Sequence, residues 1–223
     1  RLGARAQWID QLPQRFRGVM LANEVVDAMP VHALAWTGNG VVERGVCANE
    51  GELAWCERPA QGEVLARARE IDAAVSQSAR YESEISLAAP AWMRAAAESL
   101  ARGALIVIDY GFPQREYYHP QRSSGTLMCH YRHRAHGDPF YLPGLQDVTA
   151  HVDFSALARS ARAAGLEVVG FAGQAQFLVN CGITELLAGV DAADVRRYAP
   201  RAAAANRLLS PAEMGELFKV LVV

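Results

Sequence analysis

The 223-residue sequence contains no apolar run near the roughly 20 residues a membrane-spanning helix needs, so no transmembrane segment is expected. It also lacks a strong charge of either sign. A net charge of −2 gives no reason to expect nucleic acid or an anionic membrane surface as partner. Cysteine is sparse: Cys47, Cys56, Cys129 and Cys181 are scattered, with no C-x-x-C pair. They read as reduced thiols of a cytosolic protein, mostly small core residues, with a Cys47–Cys56 bridge across a hairpin as the lesser reading. The phosphate-binding G-x-G-x-x-G loop is absent, because "GNG" and "GFAG" have neither its spacing nor its strand-to-helix setting. A nucleotide, if bound, is not held by such a loop within these residues. No G-x-S-x-G elbow and no H-E-x-x-H pair occur, and no serine or cysteine has an obvious base beside it. Internal repeats and low-complexity tracts are missing too. The opening "RLGARAQWID" has no Met, no signal peptide and no helix-start signal, and reads as a cut through a larger protein.

What is present is ordinary globular composition, 51% apolar and 21% charged, in a chain long enough for a sizeable core. "ARAQWID" and "GVMLANE" read as two short buried strands. Residues 31–57 read as three antiparallel strands with two tight turns, an inserted meander whose Asn39-Gly40 suits a turn needing positive φ. Residues 62–80 and 84–102 are Ala-rich with helical spacing, and Gly103 is placed to end the second helix. "ALIVIDYG" is an apolar strand expected to stop at Asp109, Tyr110 and Gly111. Residues 112–150, rich in His, Pro, Arg and Tyr, read as a long loop, and long loops in compact domains are usually functional or disordered. A helix opens at the cap Asp153 and closes at Gly165. "LEVVGFA" is the next strand, two or three helices fill 174–215, and "LFKVLVV" is a last strand. Strands alternating with helices predict an α/β fold with a mainly parallel sheet, ligands sitting outside the carboxyl ends of its strands.

Two such ends carry polar clusters. Asn23, Glu24 and Asp27 follow "GVML", and Asp109-Tyr110-Gly111 follow "ALIVI". Asn23 can cap a short helix with the two acids favouring its positive end. Alternatively Glu24, with Asp27, grips a guanidinium, since a carboxylate can bond two of its nitrogens in parallel and leave the third free. Asp109 and Tyr110 either end a strand or face that cluster across one crevice. "CHYRHRAH" offers Cys129, His130, His133 and His136, near His119 and His151, but the spacing is poor for zinc and Arg132 and Arg134 would repel an ion. No metal is expected; these residues order a lid or bind a substrate chain. In "DVTAHVDF", Thr149 and Asp153 are capping types, and His151 could donate to a carboxylate.

The segments "LANEVVDAMPVH", "YESEIS", "IDYGFPQREYYHP", "GTLMCHYRHRAH" and "PGLQDVTAHVDF", in this order, resemble the MidA-like family of S-adenosylmethionine-dependent methyltransferases. That family includes the mitochondrial complex I assembly factor acting on arginine. The resemblance runs from about residue 6 through "QAQFLVNCGI" and "EMGELFKVLVV". It implies the C-terminal strands of a Rossmann-like class I methyltransferase sheet, with the meander at 31–57 and a substrate-covering loop at 112–150. It implies S-adenosylmethionine as cofactor, its main glycine-rich turn lying upstream of residue 1. Asp10 would lie near the adenine, with Asn23 and Glu24 beside the methionine end. Glu24 and Asp27 would be catalytic; Asp109, Tyr110, His151 and Asp153 would bind substrate. The implied acceptor is an arginine ω-nitrogen on a protein partner, for example a respiratory-complex subunit, with a homodimer left open. The implied location is the bacterial cytoplasm, or the mitochondrial matrix in eukaryotic relatives. The rival readings are a noncatalytic assembly or docking factor using the same crevice and, third, a metal-dependent hydrolase.

Overall fold

The computed structural model describes residues 6–75, 80–132 and 134–223. The end of the helix expected over 62–80, and His133, fall outside them. Residues 6–10 form no strand and are exposed, Trp8 almost completely, because no other described strand pairs with them. The first strand is β1 (Phe16–Asn23), followed by the meander β2 (His32–Thr37), β3 (Gly40–Asn49) and β4 (Glu52–Pro59). The first hairpin turns through Gly38 and Asn39, and the positive φ falls on Gly40, at +116°. Helix α1 (Gly62–Val75) comes next.

Where a helix over 84–102 was expected, the chain forms strand β5 (Arg80–Ile85) and then helix α2 (Ala88–Ser99). "RYESEI" alternates like a strand, but Glu82 and Glu84 disguise it. β5 pairs antiparallel with β2 and completes a four-stranded sheet in the order β4-β3-β2-β5. Strand β6 (Leu100–Phe112) begins immediately, so Gly103 is no helix terminator. It faces Gly18 of β1 with φ +143°, and a Cβ there would lie 1.7 Å from the Gly18 carbonyl oxygen. Only glycine permits that approach. β6 also runs past Asp109 and Tyr110 instead of stopping there.

The long loop is partly regular. It holds α3 (Gln114–Tyr117) and a small antiparallel sheet of β7 (Met128–Tyr131), β8 (Arg134–His136) and β9 (Asp147–Thr149), in the order β8-β7-β9. Strands of three or four residues are too short to show periodicity. The Trp55 and Phe140 rings, 5.2 Å apart, pack this region against the meander. Then follow β10 (Val152–Asp153), α4 (Phe154–Ala163), β11 (Gly170–Gly173), α5 (Gln174–Asn180), α6 (Ile183–Ala188), α7 (Val195–Leu209) and β12 (Phe218–Val222).

The main sheet is mainly parallel, as expected, with β12 as its one reversed strand among the described residues. β1 and β10 run parallel to β6, whereas β12 lies antiparallel between β6 and β11. Its core gathers Met93 of α2, Leu105 and Val107 of β6, Phe154 and Leu157 of α4, and Leu221 of β12. Each such side chain stabilises the fold by roughly 1.5–3 kcal/mol when fully buried. A second core joins the meander to α1 and α3 through Leu34, Trp36, Ile71, Tyr81, Ile85, Tyr117 and Tyr118. All four cysteines are free thiols. Among the described residues, no helix is long and apolar enough to cross a membrane.

Candidate active site

β1 and β6 are parallel neighbours, so their carboxyl ends lie side by side, and the two polar clusters meet there. No helix follows Asn23, so the capping reading does not apply. The chain turns instead, and a carboxylate from the adjacent strand holds the turn. Asp109 is wholly buried, and its Oδ2 accepts the backbone N–H groups of Val25 (3.2 Å), Val26 (2.9 Å) and Asp27 (3.3 Å). Its Oδ1 accepts the N–H of Tyr110 at 3.0 Å. With its oxygens bonded to the backbone and no exposed surface, Asp109 holds the 24–27 turn. Burial, reinforced by the negative charge of Asp27, pushes its carboxyl up to about 6.

Glu24 sits at φ +50°, sparsely populated space for a non-glycine residue, with its N–H bonded to the Ile108 carbonyl at 3.0 Å. Such strain persists where surrounding bonds fix it, often at functional positions. Its exposed carboxylate is oriented from both sides. The Tyr110 hydroxyl donates to Oε2 at 2.7 Å, and the Asn23 amide donates to Oε1 at 3.1 Å. Burial and the contact with Glu24 push the Tyr110 phenol upward, so it stays a protonated donor at neutral pH. Its ring rests on Phe218 of β12, centroids 4.4 Å apart.

Asp27 is buried, and its Oδ1 has no hydrogen-bond partner. Burial raises its pKa, as does the nearby Glu24 charge. Glu24, Asp27, Ala28 and Tyr110 form one side of an open cleft; His130, Arg132, Gln146, Asp147, Val148 and Thr149, all from the β7–β9 region, form the other. Three carboxylates against one guanidinium make the cleft net acidic. Gln146 and Asp147 are additions that sequence reasoning missed, although "GLQDVT" is dense in polar residues.

The other expected site residues lie elsewhere. His151 lines a neighbouring small cavity with Arg67, Glu84, Tyr117, Tyr118 and Asp153. Its Nδ1 is buried without a partner, so the expected donation from that nitrogen to a carboxylate is not made. Burial pushes its pKa down to about 4, keeping the ring neutral. Asp153 caps α4, accepting the Ala156 N–H at 3.0 Å, and pairs with Arg67 at 3.3 Å. Asp10 is exposed in the irregular N-terminal segment and does not line the cleft. Glu84, also missed, is buried in the β5 wall, accepting the backbone N–H and hydroxyl of Thr126, each at 2.9 Å.

Comparison with known proteins gives this geometry a context. A family model described as "Putative S-adenosyl-L-methionine-dependent methyltransferase" matches residues 1–172. The mitochondrial protein arginine methyltransferase NDUFAF7 of Danio rerio is 30% identical over 225 residues, covering 96% of this chain and 49% of that relative. Its Rattus norvegicus counterpart is 29% identical over 209 residues, covering 89% of this chain and 44% of the relative. The chain thus spans about half the length of the curated relatives it matches. A crystal structure of a COG1565 superfamily member from Burkholderia thailandensis, bound to S-adenosyl-homocysteine, superposes with TM-score 0.92 at 51% identity, covering 99% of this chain and 57% of that one. A native crystal structure of a COG1565 superfamily protein from the same organism gives TM-score 0.93, also at 51% identity, covering 99% and 59%. The mixed α/β sheet is that of a Rossmann-like class I methyltransferase, and the chain belongs to the S-adenosyl-L-methionine-dependent methyltransferase family that the matching model describes.

Proposed function

We propose that this chain supplies the acceptor side of an S-adenosylmethionine-dependent methyltransferase, and that the acceptor is an arginine ω-nitrogen of a protein. The observation that carries the reading is the Glu24 carboxylate, fixed at the carboxyl end of β1 by Tyr110, Asn23 and a strained backbone, and opening on an acidic cleft. The arginine methyltransferases among the relatives support the choice of acceptor.

When bound, the cofactor supplies an electrophilic methyl on a positively charged sulfur. Asn23, exposed at the carboxyl end of β1, stands where open α/β sheets hold their ligands and offers amide groups for the cofactor's polar end. Glu24 bonds two nitrogens of the guanidinium, drawing its positive charge toward them and leaving the third nitrogen richer in electrons. Tyr110 and Asn23 prevent the carboxylate from turning away. Near-attack positioning of this kind is worth several kcal/mol of barrier. The attacking nitrogen must release a proton, and the unpartnered Oδ1 of Asp27, with its raised pKa, is the acceptor at hand. The sheet of β7–β9 covers the bound segment, and the 31–57 meander buttresses that cover through Trp55.

The test is Glu24→Gln in the full-length protein. Charge-assisted hydrogen bonds contribute about 1.5–3 kcal/mol each, so transfer is expected to fall at least about 100-fold. Calorimetric titration with S-adenosylhomocysteine should show affinity within a few-fold of wild type. An active Glu24→Gln enzyme would refute the role.

A further inference from the structure

The cleft at Glu24 shares a wall with a second concavity. Arg132 lines both, and Tyr131, Arg134, Ala135, His136 and Tyr141 complete the second. No carboxylate among the described residues lines it. Among the described residues neither Arg132 nor Arg134 is ion-paired, although ten other arginine and lysine contacts to acids are made. Register explains why the groups converge. Tyr131 pairs with Arg134 across the β7–β8 ladder, and Arg134 and His136, two residues apart on one strand, project from the same face. The Arg132 guanidinium carbon stands 5.3 Å from the centre of the Tyr131 ring, and Tyr141 packs edge-on against His136 at 5.4 Å.

The imidazole adds a donor. His136 Nδ1 accepts the backbone N–H of Asp138 at 3.3 Å, so in the neutral ring the proton sits on Nε2. That nitrogen is buried and has no partner. The charged and ring groups here, two guanidinium forks and one imidazole N–H, are therefore all donors. Forked guanidinium donors match the two oxygens of a carboxylate. Next door, across Arg132, lies a cleft whose acids match a cation.

We propose that the pocket of Arg132, Arg134 and His136 holds the carboxylate of an acidic residue near the methylated arginine, so that the protein selects arginines with an acidic neighbour. This rests on the arginine-acceptor reading above and adds a specificity subsite to it. The paired cleft and pocket discriminate twice: a basic flanking residue meets like charge at Arg134, and a neutral one leaves the donors unmatched.

The experiment uses the full-length protein and peptides with one central arginine, in which a Glu is moved through the flanking positions and compared with Gln and Lys at the same places. At one or more positions, Glu is expected to raise kcat/KM about tenfold over Gln, the equivalent of one charge-assisted contact. Arg134→Glu should reverse the order, favouring Lys, while S-adenosylhomocysteine affinity by calorimetry stays unchanged. Arg134→Gln, which spares β8 a charge reversal, should lose the Glu preference without gaining one for Lys. Equal rates for all peptides would overturn the subsite and leave the arginine reading standing. A fall in S-adenosylhomocysteine affinity would overturn it by showing that the pocket serves the cofactor. Cofactor binding with no transfer to any arginine peptide would overturn the arginine reading, and the subsite with it.

Discussion

Replacing Asp109 by Asn tests which of two opposing effects governs the turn beneath Glu24. Four backbone N–H groups point at this carboxylate, which by itself favours the ionised form. Complete burial and the neighbouring Asp27 favour the neutral form and win, moving the group from an ordinary 3.8 to about 6. The sign follows. Between those values the folded state holds the proton more often than the unfolded state, so stability falls as pH rises. At about 1.4 kcal/mol per pH unit the displacement amounts to roughly 3 kcal/mol, all of it felt by pH 7. Asn carries no such dependence, but it turns an NH2 toward one of the backbone donors, a cost of about 1–3 kcal/mol that is independent of pH. The assay is urea unfolding of both proteins from pH 4 to pH 7. The stability of Asp109→Asn relative to wild type should rise across that window by about 3 kcal/mol. A difference constant with pH would refute the burial argument, and one that falls would show that the four N–H donors dominate.

The same unfolding series on His151→Gln should give the opposite slope. A ring pushed from 6.5 to about 4 stabilises the fold above pH 6.5 and loses that contribution as pH falls through 4. Relative to wild type the variant should gain about 3 kcal/mol on acidification, and a flat difference would mean the ring is solvated. Tyr110→Phe removes the hydroxyl that orients Glu24 while keeping the ring on Phe218. Transfer is expected to fall about tenfold with a melting temperature within a few degrees of wild type; unchanged kcat would remove Tyr110 from the site. Gly103→Ala places a Cβ 1.7 Å from the Gly18 carbonyl at φ +143° and should cost about 3 kcal/mol or more, or prevent folding. Wild-type stability by thermal melting would show that β1 and β6 are not packed in this register.

The parts of the molecule legible in the sequence are those where one local property dominates. "ALIVI" is apolar enough to mark the buried strand β6, Asp153 and Gly165 frame α4, and the polar residues at the end of β1 and toward the end of β6 mark adjacent carboxyl ends. Other features arise only when distant segments meet. β5 is hidden because Glu84, an unfavourable core residue, is made tolerable by Thr126, 42 residues away. Gly103 has the look of a helix stop until Gly18 appears across the ladder. Asp109 as a clamp on residues 25–27 depends on a pairing of strands more than 80 residues apart. The β7–β9 strands are too short for any periodic signal, so half of the cleft was hidden within an irregular-looking stretch.

In the proposed reading the Glu24 cleft presents an arginine nitrogen for methylation. The most direct measurement is to incubate the full-length protein with methyl-labelled S-adenosylmethionine and an arginine-containing protein substrate, then locate the label by fragmentation mass spectrometry. Label is expected on an arginine ω-nitrogen with wild type and nowhere with Glu24→Gln. Label on another residue type, or equal labelling by the two proteins, would contradict that reading.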